Sequence, residues 1–174
     1  SIVVRADGPI HEMNQLKSHR FAFTDPTSLV GYYYPIHWML DSGIDPDRYF
    51  SKTIFTHSHD GSLKAVLDGL VDGAAVNNRV FEEQARRDVA LGRGLRVIHR
   101  SPAMAGGPVV VPVSIDPSVR RELQKALLGM NEFPEGKQAL ALLQISRFKA
   151  PPPGLYESSI RIVSQVEKHL ERPR

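Results

Sequence analysis

The sequence predicts an α/β protein built of mixed sheets with covering helices. Three observations carry this. Short runs rich in β-branched and aromatic residues are bounded by turn formers, longer stretches of helical period lie between them, and the two kinds of segment alternate along the chain. With 174 residues and 41% hydrophobic content, the chain can bury a real core.

The predicted strands are residues 2–4, 20–24, 52–56, 73–77, 95–99 and 109–113. Between them, residues 28–40 read as a helix with Ser28 as N-cap and Gly43 as stop, and with Pro35 inside it as a kink. Residues 62–70 place Leu63, Val66, Leu67 and Leu70 on one helical face, after which Val71-Asp72-Gly73 turns into the next strand. A further helix spans 79–91 and runs to Gly92. Asp116-Pro117 supplies an N-cap and a first-turn proline for a helix over 119–129, Pro134 opens another, and 158–170 forms an amphipathic last helix. Pro151-Pro152-Pro153 before Gly154 forms a stiff connector. The chain shows no internal repeat.

Bulk properties narrow the function. The net charge of +3 arises from 22 basic and 19 acidic residues that are interspersed, so no nucleic-acid partner is expected. The absence of cysteine excludes a disulfide framework, a thiol nucleophile and a Cys-based zinc site. No apolar run approaches the ~18 to 20 residues of a membrane span. The opening Ser1-Ile2-Val3-Val4-Arg5 is too short and too quickly polar for a signal peptide.

Two segments could carry chemistry. Asp25-Pro26-Thr27-Ser28-Leu29-Val30-Gly31 follows a buried strand and opens a helix, so backbone N–H groups and the Ser28 hydroxyl point outward together. Ser28 either caps the helix alone or caps it and helps hold an anion. Phe55-Thr56-His57-Ser58-His59-Asp60-Gly61 ends the third strand just before a helix, where α/β folds gather binding residues. There a histidine either donates a hydrogen bond into a cleft, or both histidines cap and pack locally. A third reading is a metal site, because His57-x-His59 is similar to the start of the metallo-β-lactamase-type hydrolase signature. That signature continues as x-Asp-His, whereas Asp60 follows His59 directly and Ser62 stands where the extra histidine belongs. Gly-x-Ser-x-Gly, Walker A and Gly-x-Gly-x-x-Gly are all absent, so binding without catalysis and without a cofactor is expected.

A resemblance covers nearly the whole chain. It rests on 16–28, from Leu16-Lys17-Ser18 to Pro26-Thr27-Ser28, on 58–66, opening Ser58-His59-Asp60-Gly61-Ser62, and on Val71-Asp72-Gly73-Ala74-Ala75-Val76-Asn77. It continues through Arg96-Val97-Ile98-His99-Arg100-Ser101-Pro102, Gly107-Pro108-Val109-Val110-Val111 and Pro134-Glu135-Gly136-Lys137. In order and spacing these resemble the phosphonate-binding family, the solute-binding components of phosphate/phosphonate ABC importers. The resemblance implies a type II periplasmic-binding-protein fold, two α/β lobes closing on a ligand, with the first lobe incomplete. It implies that 1–15 form a first-lobe strand and hinge crossover, 16–100 the complete second lobe, and 101–174 the hinge return and the rest of the first lobe. An incomplete lobe leaves apolar surface exposed, so a homodimer through it is expected.

The resemblance also implies a site. The family's Ser-Thr-Ser phosphonate cradle stands here as Ser28-Leu29-Val30, which keeps one hydroxyl, and His59 matches the ligand histidine. The family's acidic residue for a ligand ammonium falls at Asn78 or Arg79, and Arg79 would repel an ammonium and favour extra negative charge. The expected ligand residues are therefore Thr27, Ser28, His59 and Arg79, with Tyr32 at the cleft mouth. The expected ligand is a small oxyanion such as phosphonate or phosphate, the partner an ABC permease, and the compartment periplasmic or extracytoplasmic. Two alternatives are a degenerate ligand-sensing domain of a signalling protein and a metal-dependent hydrolase using His57 and His59.

Overall fold

The computed structural model describes residues 1–172. The chain divides into two compact units, residues 1–104 with 157–174 and residues 105–156.

The larger unit is built on a five-stranded mixed sheet of order β3-β2-β4-β1-β5. Its strands are β1 (Ile2–Arg5), β2 (Arg20–Phe23), β3 (Lys52–Phe55), β4 (Gly73–Ala75) and β5 (Leu95–His99). β2 runs parallel to both β3 and β4, while β1 is antiparallel to β4 and β5. Thus β1, grouped above with a first lobe, is hydrogen-bonded within the same sheet as the strands of 16–100. Five of the six expected strands form, each within two residues of its expected ends.

Side chains alternate across this sheet with the period of two that a pleated backbone imposes. Ile2, Val4, Phe21 and Phe23 face one side with Met13, Leu16, Ile36, Met39, Tyr49 and Val166. Val3, Ala22, Ala74 and Val76 face the other with Leu63, Val66, Phe81 and Leu95. The first side is covered by α1 (Tyr34–Asp41), the short α2 (Pro46–Tyr49) and the last helix of the chain. The second is covered by α3 (His59–Leu67) and α4 (Asn78–Arg87), with α5 (Val89–Gly94) next in sequence. Small Ala22 and Ala74 on this side leave room for the bulk of Leu63 and Val66.

Local chemistry moves several helix boundaries. The helix expected over 28–40 opens as a π-helical turn, Leu29–Tyr33, before α1, because Pro35 has no N–H to donate into a regular ladder. The helix expected over 62–70 starts earlier, at His59, where Ser58 caps it. The helix expected over 79–91 is broken at Asp88, whose extended backbone ends α4 and whose carboxylate accepts from the N–H groups of Ala90 and Leu91 to start α5.

The smaller unit contains α6 (Pro117–Gly129), capped by Asp116, then a single 3-10 turn and α7 (Pro134–Leu142). The strand expected over 109–113 does not form. Val109, Val110, Val111 and Val113 are exposed, with no strand beside them to take up their backbone hydrogen bonds. The last helix, α8 (Glu157–Leu170), returns to the larger unit and buries Ile162 and Val166.

Candidate functional site

The parallel strands β2, β3 and β4 all deliver their carboxyl ends to one edge of the sheet, and a helix starts just after each. Three N-caps sit there. The Ser28 hydroxyl accepts from the Gly31 N–H at 3.0 Å, the Ser58 hydroxyl from the Gly61 N–H at 2.9 Å, and the Asn77 side chain from the Arg79 N–H at 2.9 Å. Each serine hydroxyl therefore still has its own proton to give. Both Ser-x-x-Gly caps need their glycine. A Cβ on Gly31 would lie 2.6 Å from Thr24 and 2.9 Å from the Ser28 Oγ, and one on Gly61 would lie 2.8 Å from the Ser58 Oγ.

His59, the first residue of α3, is the most constrained group at this edge. Its Nδ1 accepts from the backbone N–H of Asn77 at 3.1 Å and lies 3.0 Å from the oxygen of the Thr24 hydroxyl, whose proton goes to the Ala75 carbonyl at 2.9 Å. Because a backbone N–H can only donate, Nδ1 must be unprotonated, and the neutral ring carries its proton on Nε2. Burial, ahead of nearby charges, holds the His59 pKa below its ordinary value. The half-buried imidazole is thus a neutral donor with Nε2–H left for a ligand; among the described residues no hydrogen bond uses that atom.

The other expected site residues are placed differently. Thr27 spends both its hydroxyl, at 2.6 Å, and its N–H, at 2.8 Å, on the Asp25 carboxylate. Those bonds hold the Asp25 pKa below its usual value, and its other oxygen faces His57 Nδ1 at 3.4 Å. Arg79 is exposed in the first turn of α4. Tyr32 follows Ser28 by one helical turn, but its ring belongs to an aromatic cluster, 5.1 Å from Phe23 and 5.4 Å from Phe55.

The metal reading of His57 and His59 meets a geometric obstacle. His57 has a left-handed backbone, φ 57°, held by its N–H donating to the Thr24 carbonyl at 2.7 Å, and its ring turns to Asp25. His59 instead has Nδ1 occupied by Asn77 and Thr24. Among the described residues, the group of three imidazole and carboxylate side chains close enough to share an ion is Asp45, Asp47 and His169.

Asn77, whose N–H fixes the His59 tautomer, and Thr24, whose hydroxyl lies against Nδ1, were not legible as site residues. Each is a polar residue ending a predicted apolar strand, and that was the available signal. A further network beside them links Ser1 Oγ to Asn78 Oδ1 at 3.0 Å, Asn78 Nδ2 to Glu82 at 2.7 Å, and Arg100 to both Asn78 and Glu82.

Comparison with solved structures defines the class first. A Xanthomonas citri protein solved with chloride aligns with a TM-score of 0.81 at 23% identity, covering 97% of this chain and 66% of that one. A binding-protein component of a phosphonate ABC transporter from Pseudomonas aeruginosa aligns at 0.79 with 26% identity, covering 95% of this chain and 55% of that one. The fold is that of type II periplasmic binding proteins, represented here in part.

Residues 1–156 match the family described as ABC transporter, phosphonate, periplasmic substrate-binding protein, and the chain belongs to that family. The phosphonates-binding periplasmic protein of Escherichia coli K12 is 24% identical over 153 residues, or 86% of this chain and 45% of that protein. The chain thus spans less than half the length of this curated relative.

Proposed function

We propose that this chain is part of the solute-binding component of an ABC importer, acting outside the cytoplasm without catalysis, and that it holds a small oxyanion of the phosphonate or phosphate class. The observation that carries the proposal is the fixed Nε2–H tautomer of His59, at an edge where three capped helix N-termini gather. Helix N-termini favour anions, and a neutral imidazole held in one tautomer is a directed donor. The Ser28 hydroxyl proton adds a second donor and the Arg79 guanidinium a charge. In this reading 16–100 act as one lobe of the binding cleft, and Thr27 and Tyr32 shape its rim without contacting the ligand. An importer permease would be the docking partner. The isolated chain would form a homodimer through its smaller unit.

The test is thermal unfolding of dialysed protein against phosphate, phosphite, sulfate, methylphosphonate and 2-aminoethylphosphonate. A ligand at ~100 times its dissociation constant stabilises by about 2.7 kcal/mol. A shift with one oxyanion that is lost in His59→Ala and kept in His57→Ala supports the proposal. An unchanged melting temperature with every anion removes it.

A further inference from the structure

On the opposite side of the sheet from α3 and α4, a groove of ≈ 430 Å³ lies between the end of α1, the start of α2 and the end of α8. Asp45 and Asp47 stand on its wall with His169, and one ligand atom from each lies within 4.8 Å of the others. His169 is the unusual member. Its side chain is 13% exposed, yet both ring nitrogens are closed off from solvent and neither has a hydrogen-bond partner among the described residues. Its Nε2 is 3.8 Å from Asp47 Oδ2, ion-pair range but too long for a hydrogen bond.

A buried imidazole with both nitrogens unpartnered requires an explanation, because buried polar groups are almost always satisfied. We propose that Asp45, Asp47 and His169 form a site for a divalent transition-metal cation, zinc or manganese by chemical class. One imidazole nitrogen with two carboxylates is a donor set such ions accept, leaving a further position open to water or ligand. His169 lies in the last turn of the fourteen-residue α8, the end of a helix that favours a cation, and Leu40 and Gly43 bring the end of α1 to the same groove. Asp45 Oδ1 is committed to the Asp47 N–H at 3.0 Å, which leaves Oδ2 for a metal. Arg48, whose Nε is 3.7 Å from that Oδ2, is 88% exposed, so solvent screens its pairing with Asp45. Arg172 also lines the groove.

This site is separate from the strand-end edge and stands or falls independently of the anion reading. The experiment uses chelator-stripped protein, titrated with zinc, manganese, cobalt, calcium and magnesium and followed by thermal unfolding and calorimetry. The expected result is one zinc or manganese per chain and no response to calcium or magnesium, which prefer all-oxygen ligands. His169→Gln and, as a milder change that keeps the α2 cap, Asp45→Asn and Asp47→Asn should each weaken binding by at least the roughly 10-fold that loss of an outer-shell partner costs. His57→Ala should leave it unchanged. Zinc, which is diamagnetic, should shift the His169 ring resonances more than those of any other histidine. Absence of a transition-metal response overturns the proposal, as does binding that survives all three substitutions or disappears with His57→Ala.

Discussion

At the residue scale, His59 shows how much of a binding role can reside in the hydrogen bond a side chain does not offer to its ligand. Asn77 N–H fixes Nδ1 as an acceptor, so protonating the ring would set an N–H against an N–H. Burial works in the same direction. The sign of the pH effect follows. The unfolded chain takes up this proton near the ordinary value of 6.5 and the folded chain only at lower pH, so His59 costs no stability above 6.5. Stability then falls as pH drops from 6.5 through the folded value. Imidazole NMR should show His59 titrating below 6.5, with the Nε2–H tautomer above its midpoint. A midpoint at or above 6.5 sinks the tautomer assignment. Gly31 makes a second test. Alanine normally gains about 1 kcal/mol over glycine inside a helix, but here the new Cβ meets a Thr24 side chain tied to Ala75 and His59. Overpacking of that kind costs about 1–3 kcal/mol, so Gly31→Ala should destabilise in urea denaturation and weaken oxyanion binding together. His59 and Ser28 were visible in the sequence because each sits in a strand-end motif. Thr24 and Asn77 were not, since their role depends on β2 and β4 being neighbours, which no local pattern reveals.

At the element scale, what the sequence disclosed was what is locally determined. The strands announced themselves by β-branched and aromatic runs, and the alternation of Ile2, Val3 and Val4 already separates the two faces they fill. Helix interiors were equally plain, but helix starts were not. The apolar period of α3 begins only at Leu63, whereas the helix begins at His59 because Ser58 and Gly61 close its first, polar turn. The break between α4 and α5 was hidden for a similar reason, since Asp88 is unremarkable until its carboxylate is seen capping the next helix. α3 is also the element whose packing orients the site. Leu63 is fully buried on the small-residue side of the sheet, one turn after His59. Leu63→Ala should therefore cost about 2–5 kcal/mol in equilibrium unfolding. The same variant should loosen the His59 contacts and lift its titration midpoint towards 6.5, and a loss of stability with the midpoint unmoved would mean that α3 does not hold the histidine in place.

At the scale of the whole molecule, the two units differ in how far their sequences can satisfy themselves. The larger has a five-stranded sheet with both faces covered. In the smaller, Leu140 alone among the large hydrophobic residues is buried, while Leu123, Phe133, Leu142 and the valines of 109–113 are exposed. The apolar run at 109–113 was legible as a strand by composition, and its failure to become one is a statement about partners: a strand needs a neighbour, and these residues have none. Exposed apolar surface of this extent drives association, and a second copy can offer the same segment about a two-fold axis, so that 109–113 pairs with its own counterpart. Light scattering of the 174-residue chain across a concentration series should then show a monomer–dimer equilibrium. Val110→Lys with Val111→Lys should shift it to monomer, because charged residues on an edge oppose strand pairing. The fold of the larger unit should be untouched, read as an unchanged His59 titration. A dimer that persists in the double variant would place the contact elsewhere on the chain, and a monomer at every concentration would leave these valines exposed to water without a second copy to cover them.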